Sequence, residues 1–232
     1  ARRALVTGAS TGIGEATVRL LRSHGWDVVA TARRTERLKA LAAGTGCAWA
    51  AADLQRHDDV ERLAAEVLDT GHVDAVVNNA GGALGADPVA DGSPREWLTM
   101  YERNVLAALR VTQAFLPGMR ERGGDVVFLT STAAHDTYPG GAGYVAAKHG
   151  ERIIANTLRL ELVGEPVRVI EIAPGMVATS EFSLNRFHGD QSRAEAVYAG
   201  VEAPLRAEDI AECIAWALQR PAHVNIDSMI VR

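Results

Sequence analysis

The chain has 232 residues, of which 47% are hydrophobic and 23% charged, an ordinary composition for a globular domain with a sizeable core. Its net charge of -5 argues against a nucleic-acid surface, and no apolar stretch reaches the length of a membrane span. The two cysteines lie far apart without metal-ligand spacing, so we expect no metal site and a reducing, cytoplasmic location.

Apolar runs of strand length alternate with helical patterns along the whole chain. Seven runs are typical of buried strands: Ala4–Val6, Val28–Thr31, Ala48–Ala52, Val73–Val77, Val126–Thr130, Val167–Ile172 and Met229–Val231. Six segments have helical periodicity: Ile13–Ser23, Arg37–Ala43, Asp59–Asp69, Glu96–Arg122, Tyr144–Leu162 and Ala207–Gln219. This alternation predicts an α/β protein: one domain over residues 1–232 with a single doubly wound parallel sheet (a Rossmann fold) of about seven strands and helices on both faces.

A glycine-rich turn follows the first predicted strand and opens the first predicted helix. It places glycine at positions 8, 12 and 14. Without Cβ atoms the backbone can approach a pyrophosphate, and the helix N-terminus supplies N–H groups. Because the spacing differs from Gly-x-Gly-x-x-Gly, an ordinary tight turn is the alternative; the position between strand and helix favours a dinucleotide site.

Two arginines, Arg33 and Arg34, follow the second predicted strand, where an NAD site would place an acidic residue. Arginine can pair bidentately with a 2′-phosphate, so this position predicts NADP. The alternative is a solvated charge pair near Glu36. Asp53 and Leu54 end the third strand, and a helix cap is the alternative for Asp53. Asn78-Asn79-Ala80-Gly81 ends the fourth, with an ordinary turn as the alternative.

Ser131, Tyr144 and Lys148 are the candidate catalytic group. On one helix, Tyr144 and Lys148 share a face because they are four residues apart. One cation at ~4 Å with an effective dielectric of ~20 supplies about 4 kcal/mol, enough to lower a phenol pKa by about three units. Tyr144 would then act as an acid/base, while Ser131 would hydrogen-bond the substrate oxygen. Individually these residues could instead be a packed ring, a solvated lysine and a loop cap.

The segment 174–193 has weak periodicity, and we predict a loop that forms a substrate lid. Within its part Ser180–Asp190, Arg186 is the one arginine. It would neutralise a substrate carboxylate; the alternative is that it pairs with Asp190 and shapes the lid.

Over its whole length the chain resembles the classical short-chain dehydrogenase/reductase family. The resemblance rests on the Thr7-Gly-x-x-x-Gly-x-Gly turn, Asn-Asn-Ala-Gly at 78–81, Asn104, Ser131, Tyr144-x-x-x-Lys148 and Pro174-Gly175. It implies NAD(P)-dependent interconversion of an alcohol and a carbonyl, with Tyr144 as acid/base and Ser131 orienting the carbonyl. Lys148 would bind the nicotinamide ribose and lower the tyrosine pKa, and Asn104 would hold a water in the proton relay. Arg33-Arg34 matches the pattern of NADP-preferring members. The implied cofactor-binding residues are Gly8, Ser10, Thr11, Gly12, Ile13, Gly14, Arg33, Arg34, Asp53, Leu54, Asn79, Ala80, Gly81, Tyr144, Lys148, Pro174, Gly175, Val177 and Thr179.

A narrower resemblance, in the stretches 79–85, 138–141, 181–190 and 221–226, is to the NADP-dependent 3-hydroxy acid (serine/allo-threonine) dehydrogenase branch. Residues 134–136 depart from the glycine-containing stretch of that branch, and we expect His135 to be a surface residue. The alternatives are a broad-range ketone or ketoacyl reductase, or an NADPH-binding regulator without catalysis. The family resemblance also implies a homotetramer, or a homodimer, built on the two long helices and the last strand.

Overall fold

The computed structural model describes residues 1–179 and 181–232, and its centre is a seven-stranded parallel sheet. The strands run β3-β2-β1-β4-β5-β6-β9 across the sheet. Their bounds are β1 Arg3–Thr7, β2 Asp27–Ala32, β3 Ala48–Ala51, β4 Ala75–Asn78, β5 Gly124–Leu129, β6 Val167–Pro174 and β9 Ser228–Val231. Two short strands, β7 (Val177–Ala178) and β8 (Leu205–Arg206), form a separate parallel pair. The predicted doubly wound parallel sheet of about seven strands is therefore confirmed.

Helices cover both faces of this sheet. Their bounds are α1 Gly12–Ser23, α2 Thr35–Thr45, α3 His57–Asp69, α4 Pro94–Tyr101, α5 Ala107–Arg122, α6 Ala142–Glu161, α7 Phe182–Arg186, α8 Gln191–Ala196 and α9 Ala207–Leu218. Successive residues of a strand pack on opposite faces of the sheet. Val6 of β1 packs with residues of α1 and α9 on one face, and Leu5 packs with residues of α3, α5 and α6 on the other. Burial on both faces explains the continuous apolar strands.

The segment predicted as one helix, Glu96–Arg122, is divided in the structure. Helix α4 begins after Ser93, whose hydroxyl accepts a hydrogen bond from the Glu96 amide at 3.4 Å. A π-helical turn, Glu102–Leu106, then separates α4 from α5. Such turns occur frequently at functional sites, and this one carries Asn104. The predicted segment is therefore helical throughout, and what the sequence did not predict is the one turn with π-helical hydrogen bonding inside it.

The segment 174–193 contains short regular elements rather than only loop. Strand β7 pairs with β8, and helices α7 and α8 follow, α8 beginning where the Asp190 carboxylate accepts from the Arg193 amide at 3.0 Å. Elements of two to six residues are too short to show a period, so the sequence predicted a loop. Ser180, part of the predicted lid, lies outside the described residues.

The sheet order also locates a crevice. Strand β1 lies between β2 and β4, so the chain changes direction across the sheet after β3, and the connections that follow β1 and β4 lead towards opposite edges of the sheet. Ligands of open α/β sheets bind at such a switch point. None of the helices in the described ranges combines the length and apolar character needed to cross a bilayer.

Candidate active site

A cleft of about 990 Å³ opens at the carboxyl ends of the strands. This volume lies at the upper end of the range, about 300–1,000 Å³, that is usual for ligand sites. The cleft runs from the glycine turn to Ser131, Tyr144 and Lys148, and residues of α7 cover it. Of the residues that the sequence predicted to bind a cofactor, all but Gly14 line this cleft.

The glycine turn packs directly against the end of β4. Gly8 and Gly12 have positive φ angles of 63° and 55°, a conformation that favours glycine. A Cβ on Gly8 would lie 2.9 Å from the Cα of Ala80, and one on Gly14 would lie 2.5 Å from the Asn79 amide nitrogen. Thr11, which precedes α1, makes no side-chain cap, so the first amides of α1 remain available at the cleft. The turn thus has the open backbone that a pyrophosphate requires.

Asn79 holds this turn in place from β4. Its side-chain amide donates to the Thr7 carbonyl at 2.8 Å, and the backbone amides of Asn79 and Ala80 donate to the Thr7 hydroxyl at 3.0 and 2.9 Å. Asp53 accepts from the Gln55 amide at 3.1 Å and closes a short turn, whereas α3 begins only at His57. The alternative of Asp53 as a helix cap is therefore wrong.

Arg34 connects the β2 end of the cleft to the lid. Its guanidinium lies 2.8 Å from a Glu181 carboxylate oxygen and donates to the Ser10 hydroxyl at 3.0 Å. The hydrogen bond from Arg34 lowers the pKa of the Glu181 carboxyl. Glu36 pairs with Lys39 at 2.9 Å rather than with either predicted arginine. The alternative of a charge pair with Glu36 is therefore wrong, and Arg33 is exposed on the cleft.

Arg103 is a third cation at this end, and the sequence analysis missed it. It lies on the π-helical turn beside Arg33 and Asp53 and lines the cleft. Burial and the charge of Arg33 lower the pKa of its guanidinium, and its Nε is buried without a hydrogen-bond partner among the described residues. No motif marks this position; its only sequence signal is adjacency to Asn104.

Tyr144 is buried on the floor of the cleft, with Phe182 of α7 packed edge-on at a ring distance of 5.9 Å. Burial raises the pKa of its phenol, while Lys148 and the Ser131 hydroxyl lower it, and the net direction is upward. The sequence analysis expected Lys148 to lower this pKa to neutrality. Lys148 does act in the predicted direction, but burial of the ring outweighs it, and the nearby Glu151 carboxylate adds a smaller effect in the same direction as burial.

Glu151 is the anion beside Lys148. The Lys148 ammonium, 4% exposed, donates to the Glu151 carboxylate at 2.7 Å and to the Leu129 carbonyl at 3.0 Å. Burial lowers the pKa of Lys148, but Glu151 and Tyr144 together raise it more, so the net shift favours the cationic lysine. Sequence reasoning missed Glu151, although its spacing of three residues from Lys148 places both on one helix face.

Ser131 and Asn104 are the two remaining predicted catalytic residues, and they differ in whether they line the cleft. The Ser131 oxygen accepts from the Ala133 amide at 3.1 Å, so its O–H can donate into the cleft. Asn104 is fully buried; it accepts from the Gly82 amide at 3.1 Å and donates to the Gly82 and Met100 carbonyls, both at 2.8 Å. Asn104 thus fixes the wall of the cleft without lining it, and its role in holding a water stays a prediction.

Arg186 reaches the catalytic end of the cleft from the lid. Its Nε donates to the Gly85 carbonyl at 2.8 Å, and its guanidinium carbon lies 5.9 Å from the centre of the Tyr144 ring. Asp190 caps α8 instead of pairing with Arg186, so the alternative of an Arg186–Asp190 pair is wrong. The structure therefore places a cation beside the candidate acid/base.

His135 is not the surface residue that the sequence analysis expected. Only 15% of its side chain is exposed, and its Nε2 lies 3.0 Å from the fully buried carboxylate of Glu171. The sequence could not show this contact because Glu171 is 36 residues away on β6.

Three comparisons identify the family. The short chain dehydrogenase profile matches residues 2–187. An uncharacterized oxidoreductase of Mycobacterium tuberculosis is 52% identical over 100% of this chain and 90% of that protein, and the NADP-dependent 3-hydroxy acid dehydrogenase of Shigella flexneri is 40% identical over 97% and 92%. The closed form of a serine dehydrogenase complexed with NADP⁺ superposes with a TM-score of 0.94 at 39% identity, covering 98% of this chain and 93% of that one. The profile, these relatives and the shared sheet show that this chain is an oxidoreductase of the short-chain dehydrogenase family.

Proposed function

We propose that this protein is an NADP(H)-dependent oxidoreductase that interconverts a secondary alcohol and a carbonyl, and that its substrate is a small 3-hydroxy acid. One observation carries the substrate class: the Arg186 guanidinium lies 5.9 Å from the Tyr144 ring inside the cleft. The names of two relatives support it, since one acts on 3-hydroxy acids with NADP and the other is a serine dehydrogenase with NADP⁺ bound.

The cleft fits a dinucleotide with a 2′-phosphate. A Cβ on Gly8 or Gly14 would clash with Asn79, so these glycines let the turn pack closely against the end of β4. Arg33, Arg34 and Arg103 gather positive charge at the β2 end of the cleft. An arginine pairs with a phosphate through bidentate hydrogen bonds. When bound, the nicotinamide of NADP(H) would exchange a hydride with the carbon that carries the substrate oxygen.

The residues of the chain would handle the proton. Tyr144 would donate it to the substrate oxygen during reduction and accept it during oxidation. Ser131 would hold that oxygen through its free O–H, since its own lone pair already accepts from the Ala133 amide. Lys148, kept cationic by Glu151, would bind the nicotinamide ribose and favour the tyrosinate.

Arg186 would hold the substrate carboxylate. Its Nε is engaged by the Gly85 carbonyl at 2.8 Å, which aims the remaining guanidinium N–H groups past the Tyr144 ring. In a 3-hydroxy acid the carboxylate is two carbons from the reacting one, so both ends of a small substrate can be held at once. Half-burial of Arg186 strengthens this charge-assisted contact.

The association state stays a prediction, for which we propose a homotetramer built on α5, α6 and β9. Helix α6 and the turn after it expose Ile153, Leu160 and Val163 by 58%, 75% and 78%, and β9 is an edge strand with Ile230 exposed. Exposed apolar groups of this kind favour pairing. Light scattering at micromolar concentration should give four times the chain mass, and a monomer would contradict the proposal.

A substrate panel with NADP and NADPH tests the function. We expect turnover of small 3-hydroxy acids, weak turnover of simple alcohols and a strong preference for NADP(H) over NAD(H). The double variant Arg33→Ala, Arg34→Ala should raise the KM for NADP far more than that for NAD, and Arg103→Ala should act in the same direction. Arg122→Ala, an exposed arginine away from the cleft, is the control. Equal use of both cofactors, or no turnover of any 3-hydroxy acid, would refute the corresponding part.

A further inference from the structure

A carboxylate of the lid, Glu181, already binds the arginine that the proposed function assigns to the 2′-phosphate. Glu181 lines the cleft directly before α7, and its two oxygens lie 3.1 Å from Nη1 and 2.8 Å from Nη2 of Arg34. Arg37 adds a longer contact to the same carboxylate at 3.5 Å. Two parallel N–H···O bonds of this kind are also the arrangement in which arginine binds a phosphate.

The guanidinium of Arg34 has too few hydrogens for two anions. It carries five N–H donors, one on Nε and two on each Nη. The Ser10 hydroxyl takes one from Nε at 3.3 Å and one from Nη2 at 3.0 Å, and Glu181 takes one from each Nη. A single N–H on Nη1 is left, so a 2′-phosphate can bind Arg34 through two hydrogen bonds only if Glu181 withdraws.

Glu181 is a charged competitor for Arg34 rather than its support. The hydrogen bond from Arg34 lowers the pKa of the Glu181 carboxyl, so this group is an anion at neutral pH and would repel a 2′-phosphate. Arg34 does not need Glu181 to keep its position, because the buried Ser10 of the glycine turn accepts from two of its nitrogens. The Arg34 side chain is 45% exposed, so exchanging one anion for another at this site costs little.

We propose that Glu181 is a specificity-determining residue, which competes with the 2′-phosphate of NADP(H) for Arg34 and so weakens the preference of the cleft for NADP(H) over NAD(H). The proposal rests on the proposed function, since it takes Arg34 as a ligand of the 2′-phosphate. Binding of NADP(H) would replace the Glu181 carboxylate on Arg34 by the phosphate. Binding of NAD(H), which carries a hydroxyl at that position, would leave the pair of Arg34 and Glu181 intact.

This exchange of partners would also reach the catalytic end of the cleft. Glu181 directly precedes Phe182, whose ring packs on Tyr144 at 5.9 Å, and α7 ends at Arg186. That end of α7 has its own attachment, because Arg186 and Gly85 exchange two hydrogen bonds, at 2.8 and 2.9 Å. NADP(H) would therefore free the start of α7 and leave its end in place.

Binding affinities for the two coenzymes test the competition without turnover. In Glu181→Gln, the ratio of the Kd for NADH to the Kd for NADPH, measured by fluorescence titration, should rise about two- to fivefold, the usual worth of an ion pair of this exposure. The ratio cancels any effect of the substitution that both coenzymes share. Introduced into Arg34→Ala, the same substitution should lose most of its effect on the ratio. The matched control is Glu195→Gln, an exposed glutamate of α8 outside the cleft lining, which should leave the ratio unchanged.

The outcomes separate this proposal from the proposed function. If the unmutated protein binds both coenzymes equally, the coenzyme assignment fails and the competition fails with it. If it prefers NADPH but Glu181→Gln leaves the ratio unchanged or lower, or raises it just as much in Arg34→Ala, only the competition is overturned. Hydrogen exchange gives an independent measurement. At saturation, the α7 amides of the unmutated protein should exchange faster with NADPH than with NADH, and those of Glu181→Gln should exchange alike; equal exchange in the unmutated protein would also overturn the proposal.

Discussion

Buried charged groups lie near both ends of the strand pair β5–β6: Asp125 and Arg168 near the amino ends, and Glu171 of β6 with Glu151 of α6 towards the carboxyl ends. The two clusters are built differently. At the amino ends, both Asp125 oxygens accept from Arg168, at 2.6 and 2.7 Å, and Arg2 adds a third contact at 2.6 Å. The remaining guanidinium hydrogens of Arg168 go to backbone carbonyls of the segment 218–224. In this cluster, no side-chain atom of Asp125 or Arg168 is buried without a partner.

The cluster near the carboxyl ends, Glu151 and Glu171 with their partners, is incompletely hydrogen-bonded, and we call it the open cluster. Glu151 and Glu171 are as deeply buried as Asp125, yet each keeps one oxygen without a partner among the described residues. Lys148 alone donates to Glu151, and the Thr130 hydroxyl and His135 contact Glu171. A fully hydrogen-bonded network has one arrangement and holds the strands together. A network with spare acceptors has several protonation states of similar energy. We therefore infer that the charged cluster at the amino ends stabilises the fold, and that the cluster towards the carboxyl ends, where the cleft lies, can change its protonation state.

Removal of the Tyr144 hydroxyl should give the largest effect. Tyr144→Phe should lower kcat by about 10²–10⁴-fold, because the substrate oxygen loses its proton donor. NADPH affinity and the free energy of unfolding should change little, within about 1 kcal/mol, since one hydroxyl hydrogen bond is lost. Steady-state kinetics, NADPH fluorescence titration and urea unfolding measure these three quantities. A variant that keeps half its rate would require another acid/base.

Disrupting the cluster of Asp125, Arg168 and Arg2 should do the opposite: it should lower stability and leave activity unchanged. Asp125→Ala leaves two arginines facing a buried gap and should lower the free energy of unfolding by about 3–5 kcal/mol. The activity of the protein that remains folded should be normal, because Asp125 lies at the far end of β5 from the cleft. Asp69→Ala, an exposed aspartate at the end of α3, should change stability by no more than about 0.5 kcal/mol. A low kcat in folded Asp125→Ala would contradict the inference that the cluster at the amino ends serves stability alone.

The open cluster should make stability depend on pH. Glu151 ionises near 4.5 in the unfolded chain and near 7 in the fold, so between these values the folded state holds the extra proton. With respect to this group, the free energy of unfolding should be highest below pH 4.5 and fall as the pH rises towards 7, by at most about 3.5 kcal/mol at about 1.4 kcal/mol per pKa unit. Glu151→Gln should flatten this part of the urea-unfolding profile, and Glu161→Gln should not. A slope retained in Glu151→Gln would assign it to another group.

The sequence predicted local motifs well and long-range contacts poorly. Tyr144 and Lys148 share a helix face, and the glycine turn follows its strand, so both could be recognised from spacing alone. Glu171 reaches His135 across 36 residues, and Arg34 meets Glu181 across 147, distances that only the packed fold closes. The π-helical turn that carries Arg103 and Asn104 was invisible for another reason: its side-chain periodicity resembles that of the α-helices on either side.

The pKa of Tyr144 shows the same limit in energetic terms. Sequence spacing gave the attraction between a lysine and a tyrosinate, but neither the burial of the phenol nor the Glu151 carboxylate at 2.7 Å from Lys148. Burial and the Glu151 carboxylate both raise the pKa of Tyr144, and burial, the larger effect, sets the net direction. The effect of Lys148 alone lowers the pKa of Tyr144, but the net shift at the site is upward, and only the buried surroundings of the ring reveal this.

Replacement of Arg186 should give the smallest effect. This residue lies in the cleft at the carboxyl ends of the strands, and its replacement tests how the cleft binds substrate. If the Arg186 guanidinium binds the substrate carboxylate beside Tyr144, Arg186→Ala should lower kcat/KM for 3-hydroxy acids. The loss should correspond to about 1.5–3 kcal/mol of transition-state stabilisation, the usual value of a charge-assisted hydrogen bond. Uncharged alcohols should lose much less, since they offer no anion to the guanidinium. Arg193→Ala is the matched control, because this arginine of α8 packs on Phe187 at 4.5 Å and lies outside the cleft lining. Equal losses for charged and neutral substrates would mean that the 2.8 Å bond from Arg186 to Gly85 only shapes the lid. A selective loss would show that the cleft neutralises an anion at one end and moves a proton at the other, which is what a small hydroxy acid requires.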